Sequence, residues 1–514
     1  MSKTIIIIGA GLAGLSAALQ AAENGCNVKL VSFLPSERAQ SVMAEGGINA
    51  ALNTKDENDS PEEHFTDTIK AACGLADPNA VWGMTQAAPE LVHWLLKLGV
   101  KFNMSGYDDV DLRNFGGQKK KRTAFAQSDT GKQIMTAMID AVRRKEASGM
   151  VERFSHHSFL TLRLCGNICC GCVIRDEYSQ ETVELSGDAV IVATGGMHGL
   201  FGNTTGSLSN TGEVTAELFR LGVPLANGEM IQYHPTTVKC GGKRMLISEA
   251  ARGEGGRLFA MKDGKQWYFM EEKYPELGNL MPRDITAREI WKVSHESEVF
   301  LDMTEISEEI ISNKLSGLAD DCMTYLHKDI RKEPVSVLPG IHYFMGGILV
   351  DEQHRTPIQN LCAAGECCAQ YHGANRLGGN SLLGALYGGR VAAKSACEQA
   401  DVVDLSCATQ IDFPPASQIS EIKQLNKVMQ ETMGVVRNEN TLLNGIQTVQ
   451  ALTGNLPLLG MAVLKSALAR KESRGAHWRE DYPKSNDDDY LKTTVARFDG
   501  KQIQISFVPV PERR

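Results

Sequence analysis

"TIIIIGAGLAGLSAALQAA", Thr4–Ala22, carries no charge and is long enough to cross a bilayer, which takes roughly 20 apolar residues. Its internal pattern argues against that. Four consecutive Ile, Ile5 to Ile8, predict a strand buried on both faces of a parallel sheet; three Gly interrupt it, and an Ala/Leu-rich helix follows. Gly9, Gly11 and Gly14 fall in the spacing GxGxxG between strand and helix. There Gly9 permits a tight turn, Gly11 lets the backbone approach a pyrophosphate, and Gly14 lets the helix pack on the strand. The helix N-terminus then faces the phosphate charge. The spacing alone is weak. At a strand–helix junction, with a second apolar strand "CNVKLVS" after it, it predicts a dinucleotide site.

The acid that usually ends the second strand and holds the ribose is missing: Ser32 stands there, and the next acid is Glu37. Either the ribose is held another way or the motif is an imitation. "DAVIVATGG", Asp188–Gly196, is a further buried strand running into a small-residue turn. Two-dinucleotide-binding flavoproteins close over their cofactor with such a piece, so FAD is favoured over NAD.

A chain of 514 residues is too long for one core and predicts two to four domains. A net charge of -9 argues against nucleic acid as the main partner, and "QKKKR", Gln118–Arg122, reads as a solvated loop. The thirteen Cys are odd in number and scattered, as reduced cytosolic thiols would be. The single CxxC, Cys169 to Cys172 in "ICCGCVIRD", predicts a strand of small apolar residues rather than a metal site, and no cluster-binding cysteine run occurs. No signal-peptide n-region precedes the Ile run, and no other stretch is a spanning candidate, so a soluble cytoplasmic chain without membrane insertion is expected.

Further along, "TGKQIMTAMIDAVRRKE" (Thr130–Glu146) puts Ile134, Met135, Met138, Ile139 and Val142 on one face of a helix, a core stripe. From about Gln232 to His342 the texture changes to Gly-, Arg- and His-bearing loops alternating with helices such as "SEEIISNKLSGLADDCMTYLH", as an inserted domain would. "RTPIQNLCAAGECC" then resumes the strand-and-Gly pattern of the nucleotide fold. "FPPAS", Phe413–Ser417, is a Pro-marked linker; Glu421 to Lys471 reads as two or three helices, and the tail as polar and strand-like pieces.

Five separated stretches place cations or imidazoles among Gly: "QYHPTT" with His234, "LISEAARGEGGRL" with Ser248, Glu249 and Arg252, "MPRDITAREIW" with Arg283, "PGIHYFMGGI" with His342, and "YHGANRLGGNSLLGAL" with His372 and Arg376. Taken singly, each has an ordinary structural reading as a capped turn, a surface ion pair or a core histidine. Together they fit one task. A planar dicarboxylate has two anionic ends, and each needs donors of fixed geometry, which Arg supplies as a fork and His one at a time.

Those stretches, with "SRGAHWREDYP" (Ser473–Pro483) near the C-terminus, resemble the flavoprotein subunits of fumarate reductase and succinate dehydrogenase over nearly the whole chain. The resemblance implies an α/β fold: a Rossmann-like two-dinucleotide-binding FAD domain with an inserted α+β capping domain and a C-terminal helical domain. The expected boundaries are 1–231 and 345–412 for the FAD domain, 232–344 for the cap, 413–475 for the helices and 476–514 for the tail. It implies that FAD N5 delivers hydride to one alkene carbon of fumarate and that Arg283 protonates the other. Arginine is an unusual acid, its free pKa lying above about 12, and neighbouring cations would ease its proton loss. Glu249 and Arg252 would return the proton. His234 and Ser248 would hold one carboxylate, His342 and Arg376 the other. Thr194, Gly195, Glu213, Glu366, Ser381 and Leu382 would hold the flavin. Glu213 and "AQSDTG" (Ala126–Gly131) depart from the family pattern, which has Asp after "TG" and an acid–Lys–Thr–Gly run. Ser at the position of Ser32 is common in the family.

The loop "RAQSVMAEGG", Arg38–Gly47, is similar to the family's flavin-wrapping loop, where Ser-His-Thr precedes the Gly pair and the His bonds covalently to flavin. Gln40 stands at that His. The resemblance thus implies that Arg38, Gln40, Ser41, Gly46 and Gly47 contact FAD without a covalent link, which lowers the flavin potential and favours fumarate reduction. An iron–sulfur partner is implied as electron source, with any membrane anchor reached through it on the inner face of the cell membrane. L-aspartate oxidase, which shares "GANRL", and a soluble reductase of another enoate such as urocanate are the alternatives; a non-catalytic flavin-binding scaffold would not need Arg283, His234, His342 and Arg376 together.

Overall fold

The computed structural model describes residues 2–106, 109–399 and 418–514. The Ile run is the strand Thr4–Ile8 at the centre of a five-stranded parallel sheet. Asn27–Ser32 and Val151–Ser155 lie to one side of it, Ala189–Val192 and Leu361–Ala363 to the other. A central strand covered on both faces has no polar side to keep, which is why it reads as unbroken Ile rather than as an alternation. The helix Leu12–Glu23 that follows packs against Asn380–Gln399, so the nucleotide fold is closed by chain from beyond the insertion.

Two glycines are demanded by this junction before any ligand arrives. Gly9 has φ +111°, and a Cβ on it would lie 2.2 Å from the Ala193 carbonyl oxygen; a Cβ on Gly14 would lie 1.8 Å from that of Gly9.

The inserted region hangs on one long strand. Ile231–Cys240 pairs antiparallel with both Lys243–Leu246 and Leu338–Phe344. Beyond it a sheet of Arg257–Lys262, Lys265–Trp267, Val299–Asp302 and Val335–Ser336 covers a separate apolar cluster containing Ile290, Leu301 and Ile330. That cluster also takes in Phe115, which comes from outside the insertion. "SEEIISNKLSGLADDCMTYLH" does not form one helix: it breaks into Glu308–Lys314, Ser316–Asp321 and a π-helical turn Cys322–Leu326, stopped by His327 at φ +56°.

The helix Thr130–Ala147 buries its predicted stripe, and the CxxC pair sits buried in the strand Ile168–Asp176. Ile419–Thr432, Glu439–Val449 and Asn455–Ala469 are the C-terminal helices; "FPPAS" lies outside the described residues. The tail is a hairpin, Lys492–Phe498 with Ile503–Pro509, whose first strand pairs with Leu225–Ala226. Buried Arg470 anchors it, donating to the carbonyls of Tyr490 and Lys492 while paired with Glu229. Among the described residues no helix is long and apolar enough to cross a membrane.

The solvated reading of "QKKKR" needs correction. Lys119 and Lys121 are exposed, but Gln118 and Arg122 are buried. Arg122 bridges Asp59 at 2.8 Å and Asp67 at 2.9 Å, and Gln118 donates to Asn49 and to the Gly378 carbonyl. The run alternates between water and core, so its ends belong to the interior. Arg122→Ala strands two buried carboxylates and is expected to destabilise the protein by about 3–5 kcal/mol. Urea unfolding of the variant beside the unsubstituted protein measures it.

Candidate active site

The C-terminal ends of the parallel strands open into a cavity of about 1100 Å³. On its FAD-domain side lie Gly9, Gly11, Ser32, Arg38, Gln40, Ser41, Gly46 and Gly47 from the first half of the fold. Thr194, Gly195, Glu213, Glu366, Ser381 and Leu382 complete that side. Gly14 does not reach the wall; it serves by touching Gly9.

These residues fit a dinucleotide. A Cβ on Gly11 would meet only Ser41 Oγ at 3.7 Å and Ala39 Cβ at 3.8 Å, so the space in front of the helix N-terminus is left open. Ser41 Oγ already accepts from the Leu12 N–H there. Ser32 Oγ is buried without a partner, at the strand end where a ribose is expected. Burial, with Glu217 nearby, pushes the Glu213 carboxyl up to about 7. Glu366 accepts from the Phe344 N–H at 3.1 Å, and His198 lies 3.6 Å from it. The far end is walled by His157, Phe159, Arg175 and Thr182, which no sequence motif marked.

The loop before Gly46–Gly47 is braced from behind. Arg113 donates to the carbonyls of Gly46 and Glu45 at 3.0 and 3.1 Å. Glu45 Oε2 is buried without a hydrogen-bond partner, and burial first, Asp321 second, push the carboxyl up to about 8.

At the other end of the cavity His234 and His342 face each other from paired strands, ring centroids 5.1 Å apart. Both sit at irregularities. The register passes from Gln232↔Tyr343 to Tyr233↔Ile341 and skips His342; it shifts again after His234, where Pro235 cannot donate to the ladder. The bulges aim both imidazoles inward. Burial, then the charge of Arg283, holds both well below the usual histidine range, so each is neutral. His234 Nε2 is buried without a partner, and His342 Nδ1 is fixed by Thr205 Oγ1 at 2.8 Å.

Between them and the protein interior runs a chain of charges. Arg283 Nε and Nη2 donate to Glu249 Oε2 at 2.8 and 2.6 Å, and Arg252 Nη2 donates to Glu249 Oε1 at 3.2 Å. Arg283 Nη1 donates to Gln232 Oε1 at 3.0 Å. Of the five N–H bonds of Arg283, two are left to face the cavity. Burial works to raise the Glu249 carboxyl, but Arg283 and Arg252 outweigh it and hold it below the usual value. Arg252 is off the cavity wall, behind Glu249. Arg376 lies over the Tyr343 ring, its pKa lowered to about 9 by burial and by Arg283. Three guanidinium groups against one carboxylate leave two positive charges, the number a dicarboxylate brings. Ser248 caps the short helix Glu249–Gly253 and also lines the cavity.

Gln232 was missed, although it stands two residues before His234 and therefore on the same face of a strand. Gly116 was missed with no side chain to signal it: its N–H donates to Glu249 Oε1 at 3.2 Å. His372 is buried against Tyr343 and does not reach the cavity.

The model of the FAD binding domain family matches residues 4–382, and that of the fumarate reductase flavoprotein C-terminus matches residues 452–513. The chain is similar to the succinate dehydrogenase flavoprotein subunit of Bacillus subtilis, 38% identical over 100% of this chain and 98% of that one. It is 32% identical to the 8-methylmenaquinol:fumarate reductase flavoprotein subunit of Wolinella succinogenes, over 100% and 92%. Among solved structures, a mutant of E. coli quinol fumarate reductase FrdA superposes with a TM-score of 0.90 at 27% identity, covering 99% of this chain and 97% of that one.

Glu45 gives the site a pH signature. Its ordinary value is 4.5 and its folded value about 8, so between the two the folded chain holds a proton that the unfolded chain has lost. The stability linked to this group is complete below 4.5 and is lost as pH rises through 8. Glu45→Gln is expected to flatten that fall, measured as thermal midpoints of both proteins across the same range.

Proposed function

This chain belongs to the flavoprotein-subunit family of fumarate reductases and succinate dehydrogenases, and we propose that it reduces fumarate to succinate with Arg283 as proton donor. It is an FAD-dependent oxidoreductase. The observation that carries the proposal is the buried chain Arg283–Glu249–Arg252 ending beside two neutral histidines and Arg376. FAD, when bound, supplies the hydride. His234 and Ser248 hold one carboxylate of the substrate; His342 and Arg376 hold the other and draw charge from the alkene. Arg283 turns a free N–H toward the carbon left to be protonated, and Glu249 returns the proton from Arg252.

The same residues favour an enoate dicarboxylate over an amino acid. A carboxylate is the strongest partner for an ammonium, and at this end of the cavity Glu249 is already taken by two guanidinium groups while Glu45 is pushed toward the neutral form. Phe115, wedged between Gly46 and Gly378, gives that part of the wall an apolar face.

Gln40 lines the cavity in place of a histidine, and an amide has no nucleophilic nitrogen to bond to flavin. FAD is therefore held non-covalently, which favours the reducing direction. The electrons come from an iron–sulfur partner; the relatives are named as subunits, which fits a chain that works beside others.

Arg283→Ala is expected to lower kcat for fumarate by about 10²–10⁴-fold, the range of general-acid catalysis, in an assay driven by reduced viologen. An unchanged rate would sink the mechanism. For the cofactor, acid precipitation is expected to release all the yellow colour to the supernatant; a pellet that stays yellow would mean a covalent bond.

A further inference from the structure

One short segment touches both halves of the site. Arg113–Gln118 belongs to the FAD-binding side: Arg113 is tied to the Gly46 and Glu45 carbonyls, and Gln118 to Asn49 and the Gly378 carbonyl. Its middle is sunk into the inserted domain. Phe115 is part of that domain's apolar cluster, the Gly116 N–H donates to Glu249 Oε1, and the Gly117 N–H donates to the Leu280 carbonyl at 3.3 Å. Leu280 and Met281 lead directly into Pro282 and Arg283.

The fit leaves no slack. A Cβ on Gly116 would lie 2.6 Å from Glu249 Oε1 and 3.1 and 3.2 Å from the carbonyl oxygens of Met281 and Leu280. From the other side, a Cβ on Gly253 would lie 2.8 Å from the Asn114 carbonyl oxygen. Glu249 Oε1 is shared by two donors, Arg252 from its own helix turn and Gly116 from across the domain boundary. Arg283 holds Oε2 through Nε and Nη2, whereas Arg252 reaches Oε1 only at 3.2 Å. The Gly116 N–H is the second donor on Oε1, and with it the carboxylate plane is held so that Oε1 faces Arg252 while Oε2 faces Arg283.

We infer that Arg113–Gln118 is an interlock: the Gly116 N–H aligns Glu249 with both arginines only while the inserted domain is seated on the FAD-binding domain. Gly116 is thus a positioning residue for proton delivery. The inference rests on the proton-relay reading above.

Gly116→Ala tests it in the full-length FAD-loaded protein. The added Cβ, 2.6 Å from Glu249 Oε1, forces the carboxylate off the Gly116 N–H, and loss of that hydrogen bond to a charged group is expected to lower kcat for fumarate by about 10–100-fold. FAD content and KM stay as in the unsubstituted protein, and the solvent deuterium isotope effect on kcat rises, because proton delivery has become limiting. Should Gly116→Ala fail to retain FAD, Phe115→Leu puts no Cβ against Glu249 but loosens the seat of the neighbouring N–H; a smaller rate loss with the same rise in isotope effect is expected. Wild-type rate and isotope effect in the variant that folds would overturn the interlock, as would a rate loss confined to KM. Absence of fumarate reduction in the unsubstituted protein would instead overturn the function on which the interlock rests.

Discussion

A carboxylate buried with two guanidinium groups is the constraint around which this molecule is arranged. Taking such charges out of water costs several kcal/mol per ion, and attraction repays it only when every oxygen is satisfied in good geometry. Glu249 meets that condition with four N–H donors, three from arginines and one from the backbone of a neighbouring domain. The short helix capped by Ser248 carries Glu249 and Arg252 together, and the segment around Gly116 brings the backbone donor to them. Lift the FAD-binding side away and the pairing loses both its fourth donor and the environment that makes it strong.

Much of the fold was legible because its decisive elements are governed by local rules. The Ile strand, the Gly turn and the Ala/Leu helix each have a physical signature within a few residues, and the parallel sheet follows from the absence of a polar face on Thr4–Ile8. "DAVIVATGG" was legible for the same reason. "QKKKR" was misread because composition cannot show which members of a charge run turn inward; Asp59 and Asp67, the partners of Arg122, lie some fifty to sixty residues earlier and are joined to it only by the fold. The helix expected at "SEEIISNKLSGLADDCMTYLH" failed where tertiary packing interrupted a pattern that was helical on its own terms.

In the site, residues with distinctive chemistry were found and those acting through position were not. Arg283, Glu249, His234 and His342 stand out by type; their inward aim depends on bulges that a linear pattern does not reveal. Gln232 was recoverable from strand periodicity once His234 had been placed. Gly116 contributes only an N–H and the lack of a Cβ, and His157 and Phe159 line the cavity through sheet geometry alone.

The order of strands in the central sheet also bears on how the chain is made. Thr4–Ile8 leaves the ribosome well before one of its two neighbours, Ala189–Val192, and before Asn380–Gln399, the helix packed on the one that follows it. During synthesis this strand of four Ile therefore waits with an unpaired edge, the condition that invites chain-to-chain pairing. Completion of the nucleotide fold consequently waits for chain made after the inserted region.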